Sequence, residues 1–118
     1  MTLEEVMNQK VIAVVGNTID SEKYAYKIKH ALIDKGYTVY AVGKELKSLN
    51  DISEEIDVID LCIHPVKGLE IIKENKKNFK TIVIQPGASD DNLINYLNEN
   101  KIPYIDGCML LGLELYKK

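Results

Sequence analysis

A glycine followed by polar residues marks the first place in this sequence where a ligand could bind. Gly16 follows the apolar run VIAVV, and Asn17, Thr18 and Ser21 come after it. Glycine permits a tight turn and a close approach of the backbone, and the first N–H groups of a helix form a partly positive site for phosphate. The segment therefore predicts a phosphate-binding loop. Dinucleotide sites usually carry further glycines here, so a standard NAD pyrophosphate site is disfavoured.

Two lysines follow the second apolar run, in the segment VYAVGKELK. NAD-binding domains usually place an acidic residue at this point, where it binds the ribose hydroxyls. Lys44 and Lys47 instead favour a ligand that carries an additional phosphate on its ribose. The alternative interpretation is that Lys44 and Glu45 are solvated surface charges.

The third apolar run, VIDLCI, is followed by His64 and Pro65. Proline ends the strand and shapes the next loop because it has no N–H donor. His64 is a candidate for contact with a phosphate or ribose, and the alternatives are a general base or an ordinary loop residue. Asp60 is a charge within this run, and we expect it to accept hydrogen bonds from neighbouring loop amides. Cys62 is expected in the core.

The segments after the fourth and fifth apolar runs supply the remaining candidates. Gln85, Pro86 and Gly87 form one loop, from which the glutamine side chain and the backbone could reach a ligand. A plain strand-to-helix turn is the alternative. Cys108 follows the last run. Its thiol could face the reactive end of a long ligand, and the alternative is a small buried side chain.

Apolar runs typical of buried strands alternate with segments of helical period, which indicates one α/β domain over residues 1–118. The predicted strands are residues 11–15, 37–42, 58–63, 81–84 and 103–105. The predicted helices are residues 2–8, 21–35, 67–75, 90–100 and 109–116. The first long helix is expected to direct its apolar side chains to the core, namely Tyr24, Ile28, Ala31 and Leu32.

Right-handed crossovers between these strands give a three-layer, doubly wound parallel sheet with helices on both faces and the strand order 2-1-3-4-5. In this order the chain reverses direction beside the first strand. Ligands of such sheets bind in the crevice at that point, outside the carboxyl ends of the strands. Because the candidate segments all follow strands, the topology predicts that they share this edge of the sheet.

Composition limits the classes of ligand. The chain has 118 residues and a net charge of -3, which disfavours binding to a nucleic-acid backbone over a broad face. No apolar run reaches the roughly 18 to 20 residues of a membrane span, and the N-terminus lacks a signal pattern, so we expect a cytoplasmic protein. Cys62 and Cys108 are too few for a disulfide framework and lack zinc spacing, so we expect reduced thiols.

Four segments in order resemble the successive blocks of the CoA-binding-domain family and cover nearly the whole chain. The small members of this family are similar to the N-terminal domain of the succinyl-CoA synthetase alpha subunit. The segments are VVGNTIDSEKYAYKIKHALIDKGYTVYAVG, IDVIDLCIHP, IVIQPGASDDNL and IPYIDGCM.

The resemblance implies a Rossmann-like domain that holds CoA, with the diphosphate near the first loop and the adenosine near the end of the second strand. It implies ligand contacts from Gly16, Asn17, Thr18, Tyr26, Gly43 and Lys44. The path of the pantetheine would be lined by Pro65, Gln85, Gly87 and Cys108, which match the later blocks. His64 and Pro86 complete the expected set. Lys44 suits the 3′-phosphate of CoA.

The expected function is therefore binding of CoA or acyl-CoA without established catalysis. The phosphorylated histidine of the synthetase has no counterpart among the matching segments, so ligase activity is not expected. One alternative is an NADP-binding oxidoreductase-like or redox-sensing domain, which would need a nicotinamide pocket and a hydride acceptor. Another is a protein-interaction scaffold without a ligand. If the chain pairs, we expect a homodimer formed through an exposed helix.

Overall fold

The computed structural model describes residues 1–117 and contains one parallel sheet with helices on both faces. The strands are β1 (Val11–Gly16), β2 (Thr38–Gly43), β3 (Val58–Cys62), β4 (Thr81–Ile84) and β5 (Tyr104–Asp106). The helices are α1 (Leu3–Met7), α2 (Tyr24–Asp34), α3 (Pro65–Glu74), α4 (Asp91–Glu99) and α5 (Met109–Tyr116), with a short 3-10 turn at Leu49–Asp51. The sheet order is β2-β1-β3-β4-β5, which confirms the predicted topology.

β1 has a neighbour on each side, and its pairing fixes where the strands end. Its register with β2 runs from Val11 opposite Thr38 to Gly16 opposite Gly43, and β3 pairs on the other side. Helices cover both faces of the sheet, so the apolar run of β1 needs no alternation of polar residues. The carboxyl ends of β1, β2 and β3 therefore meet at one edge of the sheet.

The strand side chains alternate between two apolar cores. One core packs the sheet against α3, α4 and the 3-10 turn, which contribute Leu49, Ile71, Ile72, Leu93 and Leu97. The other core packs the sheet against α1, α2 and α5, which contribute Val6, Met7, Ile28, Leu32 and Met109. In β3, Ile59 and Leu61 face the first core and Val58 faces the second.

Local signals account for several helix ends. Thr2 and Glu5 form the predicted capping box at α1, and the Asp90 carboxylate accepts the Leu93 N–H at 2.9 Å to begin α4. α5 has the predicted bounds. Apart from the start of α2, the predicted ends of helices and strands differ from the observed ones by at most two residues. Within residues 1–117, no helix is long and apolar enough to cross a membrane.

The predicted start of α2 at residue 21 is wrong, because the helix begins at Tyr24. The Asn17 side-chain oxygen accepts the N–H groups of Ile19 and Asp20, at 3.2 and 3.1 Å. Asp20 in turn accepts the Glu22 N–H. These local bonds offer the backbone an alternative to the helix, and they delay its start.

The prediction that Tyr24 faces the core is also wrong. Its side chain is 62% exposed, while Ala25, one residue later, is buried. Because α2 begins later than predicted, Tyr24 is its first residue and lies at the rim of the core. Ile28 and Leu32 are buried as predicted.

Candidate functional site

Three adjoining cavities form a groove along the carboxyl edge of the sheet. A cleft of about 510 Å³, here called the basic cleft, includes Gly16, Gly43 and Ile63 in its lining. Ile63 also lines a central cavity of about 220 Å³. Cys62, Gln85 and Pro86 line this central cavity and a third one of about 140 Å³, which we call the thiol pocket.

The groove crosses the sheet from β2 to β5. Neighbouring strands lie about 4.8 Å apart, so the four intervals between these strands give the groove a length of roughly 19 Å. Most of the predicted site residues line it. They are Gly16, Asn17, Gly43 and Lys44 in the basic cleft, His64 and Gly87 in the central cavity, Gln85 and Pro86 in the central cavity and thiol pocket, and Cys108 in the thiol pocket.

The two glycines of the basic cleft are required by the packing of the protein backbone. A Cβ atom on Gly43 would lie 2.8 Å from the carbonyl oxygen of Gly16, and Gly43 has a positive φ of 127°. A Cβ atom on Gly16 would overlap with the carbonyl oxygen of Cys62. Close strand contacts therefore account for both glycines, in addition to any approach of a ligand.

Three lysines give the basic cleft its charge. Lys44, Lys47 and Lys67 line it together with Glu70 and Glu74, so three positive and two negative side chains leave a net charge of +1. In the part of the chain that the structure describes, residues 1–117, neither Lys44 nor Lys47 forms an ion pair. The Lys67 Nζ lies 3.7 Å from the Glu70 carboxylate, and both side chains are well exposed. Two unpaired ammonium groups are thus available to an anionic ligand.

Glu45 lies between these lysines in the sequence, yet its carboxylate is held elsewhere. It accepts hydrogen bonds from the Lys29 ammonium at 2.8 Å and from the Thr18 hydroxyl at 2.6 Å. These bonds, that of Lys29 first, lower the pKa of Glu45 below its ordinary value. The pairing with Lys29 holds the Glu45 carboxylate outside the lining of the basic cleft.

Two predicted site residues, Thr18 and Tyr26, contact other residues of the protein and do not line the groove. Thr18 is buried, and its hydroxyl already donates to Glu45. The Tyr26 ring packs on the His30 ring of the same helix, with 4.2 Å between their centroids. Neither Thr18 nor Tyr26 is among the residues that line the three cavities. Their contact with a ligand stays a prediction.

His64 and Pro65 begin α3. The Nδ1 atom of His64 accepts the Val66 N–H at 3.2 Å, and Pro65 occupies the first turn, where its missing N–H costs no helix hydrogen bond. An accepting Nδ1 carries no proton, so this bond puts the ring proton on Nε2. The imidazole is thereby oriented at the edge of the central cavity.

The thiol pocket lies where β4 and β5 end. Cys62, Cys108, Pro86 and Tyr24 line it together with Gln85, which is 5% exposed. The Gln85 Oε1 accepts the Met109 N–H at 2.9 Å and so ties the end of β4 to the start of α5. Burial, with smaller contributions from neighbouring acidic groups, raises the pKa of the Cys62 thiol to about 12.

Asp60 lies beneath this pocket, and the prediction that loop amides bind it is wrong. The side chain is fully buried, and within residues 1–117 neither carboxyl oxygen has a hydrogen-bond partner. Val14 and Val83 flank it on the neighbouring strands. Asp60 is within the strand, where the backbone N–H groups pair in the sheet. Burial raises its pKa well above the ordinary value, which favours the protonated acid.

Tyr24 and Lys67 are two residues of the groove that were not predicted as ligand contacts from the sequence. The helical period predicts Tyr24 in the core, and the predicted helix 67–75 begins at Lys67. Both residues are in the first turn of a helix that follows a strand, at the edge where this class of sheet binds ligands. That position in the topology is the signal that could have identified them.

The family match agrees with this geometry. The CoA binding domain family matches residues 10–114, a range that includes all five strands and the whole groove. The chain belongs to this family. The match confirms the resemblance seen in the sequence and links the domain to CoA binding at the level of the family.

Solved structures of other proteins share the fold. A conserved hypothetical protein from Pyrococcus furiosus is 28% identical, with a TM-score of 0.79 over 87% of this chain and 98% of that chain. A hypothetical protein from Pyrococcus horikoshii OT3 is 24% identical, with a TM-score of 0.86 over 100% of this chain and 94% of that chain. A protein from Thermus thermophilus is 22% identical, with a TM-score of 0.75 and coverage of 98% and 99%. No curated protein matches the chain.

Proposed function

We propose that the chain binds CoA or acyl-CoA in the groove. The adenosine and its phosphates would occupy the basic cleft, and the pantetheine would extend over the central cavity to the thiol pocket. The observation that carries the proposal is the polarity of the groove, which changes from unpaired lysines at β2 to cysteines and apolar groups at β5. CoA has the same polarity, with a phosphorylated nucleotide at one end and a thiol at the other.

The lysines support a ligand with a phosphate on its ribose. The chain as a whole is acidic, with a net charge of -3, so Lys44 and Lys47 form a local positive site on a protein that would otherwise repel an anion. Ammonium groups form strong charge-assisted hydrogen bonds with phosphate oxygens. We assign Lys44 and Lys47 to the 3′-phosphate of CoA.

The late start of α2 supports a site for the diphosphate. Its N-cap is Lys23, and no side chain in the described residues 1–117 caps this helix end. The first N–H groups of an eleven-residue helix therefore remain free to bind an anion near Gly16 and Asn17. The proposal assigns binding to the groove and no catalytic step.

A thermal-shift titration tests the proposal. The protein is freed of bound material, checked by mass spectrometry, and titrated with CoA, dephospho-CoA and NADPH. A ligand that binds only the native state stabilises it by about 2.7 kcal/mol at a hundredfold excess over its dissociation constant. We expect the largest shift with CoA and a smaller shift with dephospho-CoA, which lacks the 3′-phosphate.

Variants locate the ligand in the groove. Lys44→Ala with Lys47→Ala should reduce the shift by CoA, whereas Lys10→Ala, a lysine just before β1 at the opposite edge of the sheet, should leave it unchanged. A larger shift with NADPH than with CoA would support the NADP-binding alternative. If no ligand shifts the unfolding temperature, the proposal fails and a scaffold role becomes the better hypothesis.

A further inference from the structure

The thiol pocket holds two cysteines that do not pair with each other. Cys62 and Cys108 are both free thiols and line one cavity of about 140 Å³. Cys62 is the last residue of β3, Cys108 lies two residues beyond the end of β5, and β4 lies between these strands. The two strands are therefore roughly 10 Å apart where they end, whereas a disulfide requires Cα atoms within about 7 Å. The cavity between the thiols has room for a third sulfur atom.

The environments of the two cysteines differ in a way that selects one as the nucleophile. The thiolate is the reactive form of cysteine, and burial disfavours it at Cys62. Cys62 lies within β3, whereas Cys108 lies outside the strands, at the N-cap position of α5, where its side chain makes no cap hydrogen bond and lines the pocket. Cys108 is therefore the cysteine placed to react.

Gln85 provides an independent indication that the thiol pocket takes a polar ligand atom. Its Oε1 accepts the Met109 N–H, and only the oxygen of an amide can accept, so the position of the amide nitrogen is fixed. The side chain is 5% exposed and lines the pocket, yet within residues 1–117 its nitrogen donates to no protein group. Within residues 1–117 the buried side-chain atoms without a partner are the two Asp60 carboxyl oxygens, so the Gln85 nitrogen is an accessible donor at the pocket, where it can bind an acceptor atom of a ligand.

We propose that Cys108 forms a mixed disulfide with CoA by exchange with CoA disulfide. The inference rests on the proposed function, because the groove must hold the nucleotide while the sulfur atoms meet. The Cys108 thiolate attacks one sulfur of CoA disulfide, and a bond forms between the Cys108 Sγ and that sulfur. The bond between the two CoA sulfurs breaks, and the departing CoA thiolate keeps the electron pair and takes up the proton that Cys108 lost. Cys108 is oxidised and the departing CoA is reduced.

The experiment measures covalent modification of the reduced, full chain by mass spectrometry. The protein is incubated with CoA disulfide or with oxidised glutathione, and the modified cysteine is found by peptide mapping. We expect one CoA adduct on Cys108, formed about tenfold faster than the glutathione adduct, a ratio that corresponds to about 1.4 kcal/mol. Lys44→Ala with Lys47→Ala should slow the reaction with CoA disulfide and leave the reaction with glutathione unchanged.

Serine variants provide the matched controls. Cys108→Ser should lose the adduct, and Cys62→Ser should keep it, provided that both variants unfold cooperatively. An adduct on Cys62, an internal disulfide between the two cysteines, or equal rates with both reagents would overturn the proposal. If reduced CoA shifts the unfolding temperature but CoA disulfide forms no adduct, the proposed function stands and only this inference fails. If neither effect is seen, both fail.

Discussion

The basic cleft and the thiol pocket, at the two ends of the groove, are formed by different kinds of residues. The basic cleft combines a rigid backbone, with Gly16 and Gly43 in close contact, and exposed lysines that reach over it. The thiol pocket is built from buried and half-buried side chains, among them Gln85 and Cys62, with the buried Asp60 beneath them. The exposed lysines of the basic cleft can therefore change without loss of stability, whereas in the thiol pocket the residues that form the site also contribute to the packing of the fold.

The contact between the two glycines gives the first test of this contrast. Gly43→Ala places a Cβ atom 2.8 Å from the Gly16 carbonyl oxygen at a positive φ, so we expect a loss of about 3 to 5 kcal/mol in the free energy of unfolding. Gly36→Ala is the matched control, because Gly36 also has a positive φ but, among the described residues 1–117, no atom lies within 4 Å of the added Cβ. It should cost only about 1 to 2 kcal/mol. Urea unfolding measures both, and equal losses would contradict the packing argument.

The substitution Asp60→Val should have the next largest effect on the free energy of unfolding, and it should raise it. Asp60→Val removes a buried carboxyl without a partner and places an apolar side chain between Val14 and Val83. We expect the free energy of unfolding to rise by about 3 kcal/mol at pH 7. Thermal unfolding measures the change, and a loss of stability would show that Asp60 has a partner in solution.

The pH dependence provides an independent test of Asp60. Its pKa in the folded chain is raised above the ordinary value of 3.8. Above that pH the folded chain keeps a proton that the unfolded chain has released. The contribution of Asp60 to stability therefore falls as pH rises from about 4, by about 1.4 kcal/mol per pH unit, until the folded pKa is reached. The difference between wild type and Asp60→Val should follow this slope, and a constant difference would contradict it.

These residues also show what the sequence could and could not predict. The apolar runs predict the strands, and the rule for strand order predicts the sheet topology and its switch point. Together they place the loops that contain Gly16, Lys44 and Cys108. The Asn17 turn and the bond between Thr18 and Glu45 were not predictable, because side-chain hydrogen bonds compete with helix formation and join residues far apart in the chain. The isolation of Asp60 depends on the packing of three helices, which no local pattern encodes.

Salt should affect the two ends of the groove differently. Exposed lysines interact with phosphate through a field that ions screen over about 10 Å at 0.1 M and about 3 Å at 1 M. We expect the dissociation constant for CoA to increase several-fold, about 1 kcal/mol, between these salt concentrations. The rate at which iodoacetamide, a neutral reagent, alkylates Cys108 should stay constant. A rate that falls in parallel with CoA affinity would mean that the two ends are not independent.

The smallest effect is expected at Glu45, whose pairing with Lys29 keeps a carboxylate away from the lysines of the basic cleft. Its folded pKa is lowered from the ordinary value of 4.5, so it stabilises the folded chain above that pH, and this contribution is lost as pH falls through the folded pKa. The side chain is 39% exposed, and the contribution should stay below about 1 kcal/mol. Glu45→Gln should therefore reduce stability slightly at pH 7 and not at all near pH 2.

Glu55→Gln is the control for Glu45→Gln, because Glu55 is exposed and forms no ion pair within the described residues 1–117. Thermal unfolding of both variants at the two pH values separates the ion pair from the general effect of removing a charge. Glu45→Gln also removes a negative charge near Lys44 and Lys47, so it should leave CoA affinity unchanged or raise it slightly. A clear loss of CoA affinity would mean that the bond to Thr18 holds the β1–α2 loop in its binding conformation, which would make the basic cleft as dependent on fixed side chains as the thiol pocket.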